Sequence, residues 1–131
     1  MSGLTQSSRR ILVVAADENS SRTIGRILCR CGYSTDQVTS GEAAMAALER
    51  NTYDLVLSEV ALPGVCGLTF LCRARQLGRK TPFVLLGAPE TERRRWIVSG
   101  VEDVHCLPLP LDVDRLKQVV AECLETRAMS P

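Results

Sequence analysis

The stretch YDLVLSEVALPG (53–64) sets an acid, Glu59, directly behind the apolar run Leu55-Val56-Leu57, and a Pro-Gly pair follows. A carboxylate where a buried strand meets a turn is costly unless it has a task or a solvated exit. Other residues able to do chemistry are few. Asp17 and Glu18 are adjacent acids ahead of an apolar stripe, and favour a helix start, where the N-terminal dipole stabilises negative charge. Six cysteines occur, at 29, 31, 66, 72, 106 and 123, with no C-x-x-C pair, and His105 is the one histidine. That set is a poor metal-ligand group, so the thiols are expected to be free and mostly buried. Cys66 stands apart. It falls at the start of an expected helix, whose N-terminus can lower a thiol pKa, and this makes it the candidate for a redox role.

These residues sit in a regular frame. Ile11-Leu12-Val13-Val14, Leu55-Val56-Leu57 and Phe83-Val84-Leu85-Leu86 are short apolar runs rich in β-branched residues, as expected of strands buried on both faces. Tyr33–Val38 and Val104–Leu107 are weaker strands. Between them, Ile24, Ile27, Leu28 and Cys31 make a helical stripe that Gly32 ends. Thr39-x-x-Glu42 resembles a capping box opening an Ala-rich helix that ends near Arg50. Leu68, Leu71 and Cys72 stripe a third helix, Pro89–Ser99 reads as a polar, Arg-rich fourth, and Leu111–Arg127 as a fifth. Five β-α units in series imply a parallel sheet with right-handed crossovers and helices on both faces. Function then belongs beyond the carboxyl ends of the strands. One domain over 9–125 is expected, with mobile tails at 1–8 and 126–131.

The 131 residues carry a formal net charge of +1, which gives no overall field for nucleic acid or anionic membrane. No apolar run reaches membrane-spanning length, and the first residues hold no secretory stretch, so a cytoplasmic location is expected.

In order and spacing, ILVV, GYSTDQVTSGEAAMAAL, YDLVLSEVALPGVCG, TPFVLLGA and LPLPLDVDRL resemble the receiver domain of bacterial two-component response regulators, over about residues 9 to 125. The resemblance implies a flavodoxin-like (βα)5 three-layer sandwich with strand order 2-1-3-4-5. It also implies a reaction centre. In the family an aspartate ending the third strand accepts a phosphoryl group, and an acid pair after the first strand helps hold Mg²⁺. A hydroxyl after the fourth strand and a lysine before a cis-proline after the fifth contact the phosphoryl group. On this sequence the acceptor falls on Glu59, the acid pair on Ala15 and Ala16, and the hydroxyl on Gly87. The lysine falls on Leu109, with Pro110 as the cis-proline candidate. The alternative register, Leu107-Pro108, also supplies leucine.

A scaffold kept while its chemical positions are replaced implies a phosphorylation-independent pseudo-receiver. It would have no catalytic residues, metal or cofactor, and would bind another signalling protein or output domain. Homodimerisation through the face of the fourth helix, fifth strand and fifth helix is the family's usual mode, and places Arg93, Arg94, Arg95 and Trp96 at a candidate interface. Successive arginines point about 100° apart on a helix and cannot form one patch alone. Two alternatives stand beside this reading. One is a sensor that uses the altered crevice for a small ligand, or Cys66 for redox chemistry. The other is permanent imitation of the phosphorylated state by Glu59, for which Gly87 and Leu109 offer no hydroxyl or ammonium.

Overall fold

A computed structural model describes residues 9–88 and 103–129 of the chain. The expected helix over 89–99 and the candidate interface Arg93, Arg94, Arg95 and Trp96 lie outside those residues. Five strands, β1 (Arg10–Val14), β2 (Ser34–Val38), β3 (Leu55–Glu59), β4 (Phe83–Leu86) and β5 (Val104–Leu107), form one parallel sheet in the order β2-β1-β3-β4-β5. The described helices are α1 (Glu18–Arg30), α2 (Gly41–Arg50), α3 (Gly67–Gln76) and α4 (Val113–Met129), the last being the fifth helix of the sequence count.

Two-residue alternation along the strands splits the core into two layers. Leu12, Val14, Val56, Phe83 and Leu85 pack with Ala44 and Leu48 of α2 and Phe70, Leu71 and Ala74 of α3. Ile11, Val13, Leu55, Leu57 and Leu86 pack with Ile24 and Leu28 of α1 and Leu116 and Val120 of α4. β2 is an edge strand and only half-buried, which is why its sequence signal is weak.

Local signals err in two places. The cap of α2 is Ser40, whose Oγ accepts the Ala43 N–H at 3.1 Å, so the helix begins one residue later than a Thr39 cap requires. And α4 continues to Met129, two residues beyond the Arg127 expected as its end. No Gly or Pro interrupts Thr126–Met129, and Ala, Arg and Met are good helix formers.

Candidate functional site

β3 delivers Glu59 to the carboxyl edge of the sheet, in register with Leu86 of β4. On the other side, β1 gives way to Ala15, fully buried and held by its N–H to the Val38 carbonyl at 3.2 Å. Ala16 follows, exposed, and its N–H donates to Glu59 Oε1 at 2.8 Å. The acid therefore does have a partner, although Gly87 and Leu109 offer it no hydroxyl or ammonium. The partner is a main-chain amide, which the sequence at 15–16 conceals because every residue but proline carries one. Charge-assisted bonds of this kind are short and comparatively strong.

Asp17 and Glu18 behave as helix-start residues. Asp17 Oδ2 accepts the N–H and the Oγ–H of Ser20, both at 3.3 Å, and Glu18 occupies the first turn of α1.

The opposite rim is apolar. Gly87 has φ +93°, a conformation that costs glycine little, and its N–H bonds the Leu107 carbonyl at 2.8 Å. The Leu109-Pro110 peptide is cis, the isomer that the resemblance implies. Leu109 is 55% exposed, and its Cδ1 lies 3.6 Å from where a Cβ on Gly87 would sit. Leucine thus leans over the glycine where the family places an ammonium and a hydroxyl. Beside it is a cavity of about 240 Å³ that also touches Val60 and Ala61. A second, of about 360 Å³, opens between Thr23, Ile24 and Ile27 of α1 and Leu111 and Val113. Glu59, Leu86 and Leu109 line both cavities. The α1 side of the larger one was missed in the sequence, although the i, i+4 pair Thr23 and Ile27 was a usable signal of one shared helix surface.

Cys66 is the N-cap residue of α3 and makes no side-chain cap bond. Its thiol is half-buried, 3.4 Å from Thr69 Oγ1, and the hydrogen bonding at Thr69 pulls its pKa below the ordinary thiol value. Gly67 is required next to it, since a Cβ there would collide with the Glu59 carbonyl oxygen. All six cysteines are free, but the expectation of mostly buried thiols is corrected. Only Cys106 and Cys123 are buried, while Cys29, Cys31 and Cys72 lie on outward helix or helix-end positions. His105 lies half-buried on β5. Among the described residues no three His, Cys, Asp or Glu side chains converge as metal ligands, and no helix is long and apolar enough to cross a membrane.

A parallel sheet in this order, covered by helices on both faces, defines a flavodoxin-like fold, here with an acid at the end of β3. The chain belongs to the response regulator receiver domain family, whose model matches residues 11–121. It is 34% identical over 113 residues to the sensor histidine kinase RcsC of Salmonella typhi, covering 85% of this chain and 12% of that protein. It is 33% identical over 105 residues to the transcriptional regulatory protein TcrA of Mycobacterium tuberculosis, covering 79% of this chain and 42% of the other. The chain thus spans less than half the length of either relative. Its fold matches the chemotaxis response regulator CheY4 of Vibrio cholerae with a TM-score of 0.79 at 19% identity, over 90% of this chain and all of the other. This is a receiver domain of two-component signalling.

Proposed function

We propose that this receiver domain signals by binding another protein without an aspartyl-phosphate step, and that it is a signalling module rather than an enzyme. The observation that carries the reading is the hydrogen bond from the Ala16 N–H to Glu59 at the acceptor position. Mg²⁺ takes a near-octahedral shell of hard oxygens, usually with one or two carboxylates among them. Here two alanines replace the acid pair, Glu59 already accepts a hydrogen bond, and Asp17 is committed to capping α1. The residues present do not fit the ion. Without it, no cation offsets the repulsion between a carboxylate and an incoming phosphoryl group.

The same contact weighs against permanent phosphoryl mimicry. The Glu59 hydrogen bond runs to the main chain of the β1–α1 turn, away from Gly87 and Leu109, which carry no hydroxyl or ammonium. The partner is a kinase or output domain, or a second copy meeting through the face that includes β5 and α4, and the setting is cytoplasmic.

Incubation with acetyl phosphate and Mg²⁺, followed by intact-mass spectrometry, tests the reading. The mass is expected to stay unchanged. A stoichiometric phosphoryl gain that maps to Glu59 overturns it.

A further inference from the structure

We propose that the groove between α1 and the β5–α4 loop binds a small organic cation with an apolar body, its ammonium or guanidinium group paired with Glu59. The cavity of about 360 Å³ is at the lower end of the range typical of small-molecule sites. It lies at the carboxyl ends of the strands, where open α/β sheets receive their ligands. Its walls are largely aliphatic, from Ile27, Leu86, Leu109 and Leu111, with the uncharged polar residues Asn19, Ser20 and Thr23 on the α1 side.

The sign of the ligand follows from the charges. Among the described residues, Glu59 is the one ionisable side chain lining the groove. Its Oε1 is on the Ala16 N–H, and among the described residues its Oε2 has no hydrogen-bond partner. Two helices begin beside the groove, and their N-termini would ordinarily draw an anion. Each is already occupied by a carboxylate of this chain. Asp17 caps α1, and Asp112 Oδ1 accepts the N–H groups of Asp114 and Arg115 at the start of α4. The unmet charge in a groove otherwise lined by uncharged side chains is therefore met by a donor cation.

The occupied groove also has a route to the rest of the domain. Leu109 stands between this cavity and the smaller one over Gly87. A ligand packed on Leu109 fixes the β5–α4 loop, much as a phosphoryl group would from the other side. The inference deepens the proposed function, since it supplies an input to a module that does not use phosphorylation.

Hexylammonium chloride is the probe, titrated into ¹⁵N-labelled protein and followed by amide chemical shifts. Saturable shifts are expected at Ala16, Thr23, Leu111 and Val113, with a dissociation constant on the order of millimolar for so few atoms. Hexanol and hexanoate are expected to bind at least about tenfold more weakly, as loss of a charge-assisted contact implies. Glu59→Gln is expected to erase that preference for the amine over the alcohol. Thr23→Trp, a change at an exposed α1 position, is expected to abolish binding of both by filling the groove. The idea is overturned by non-saturating or dispersed shifts, by hexanoate binding as well as the amine, or by either variant leaving the titration unchanged. Nα-acetyl-lysine amide binding as tightly as hexylammonium also overturns it, because that result reassigns the groove to a partner protein's lysine. A phosphoryl gain in the mass experiment removes the proposed function yet leaves this titration standing, so the two failures are distinguishable.

Discussion

At Glu59 the charge and the hydrogen-bonding capacity can be separated. Glu59→Gln keeps an amide oxygen for the Ala16 N–H and removes the charge. Folding stability and ligand-free association, read by urea denaturation and sedimentation, are expected to stay within about 0.5 kcal/mol, as for an uncoupled substitution. Glu59→Ala removes the acceptor as well and is expected to cost about 1 kcal/mol. Loss of partner binding in a folded Glu59→Gln domain would instead make the charge itself the switch. Cys66 gives a second residue-level prediction. Hydrogen bonds at Thr69 favour its thiolate, so iodoacetamide should modify Cys66 at lower pH in the folded protein than in urea. Peptide mapping across a pH series checks this. Coincident folded and unfolded profiles would remove the physical basis for any redox role.

Among the elements, the start of α2 is where the sequence offers two candidate caps and the fold uses one. Ser40→Ala should cost about 1 kcal/mol, the usual loss for an N-cap oxygen. Thr39→Ala should stay within about 0.5 kcal/mol, because Thr39 is exposed and outside the helix. Urea midpoints of the two variants make the comparison, and the reverse order would return the cap to Thr39. The misassignment is instructive. Thr39 and Ser40 are both good caps, and Glu42 suits a box only with Thr39. What decides is the docking of α2, where Gly41 is buried so tightly that a Cβ would lie 2.5 Å from the Val65 carbonyl oxygen.

Over the whole molecule, a polar cluster ties together segments distant in sequence. The Arg10 guanidinium donates to Asp36 at 2.8 Å and lies 5.2 Å from the centre of the Tyr53 ring, while the Tyr53 hydroxyl donates to Asp36 at 2.6 Å. This joins β1, β2 and the approach to β3. Burial, and then the bond to Asp36, pushes the Tyr53 pKa up to about 12. An unfolded tyrosine titrates near ~10, so the protonated phenol is favoured by folding. The stabilisation is complete below about pH 10 and is lost as pH climbs towards about 12. Urea midpoints should therefore fall more steeply over that interval in the wild type than in Tyr53→Phe. Parallel curves would show that the Tyr53–Asp36 bond does not contribute.

The sequence by itself determined the strands, most helix limits, the parallel sense of the sheet and the identity of the residues at each strand end, while the strand order came with the family resemblance. Those signals are local. Runs of β-branched residues, helical stripes at i, i+3, i+4, and glycines at 32 and 78 with positive φ act on their own neighbourhoods, and right-handed crossovers leave few ways to arrange them. Which groups meet across the crevice was settled only by the tertiary structure. Ala16 lies 43 positions from Glu59 in the chain, and its contribution is a main-chain N–H that no residue letter records. Leu109 comes beside Gly87, and Thr23 comes to face Leu111 across a groove, because the sheet places the ends of distant segments close to one another. Composition fixes what each strand end can offer, but the directions in which loops carry side chains and amides are fixed by packing, and packing is a property of the assembled sheet.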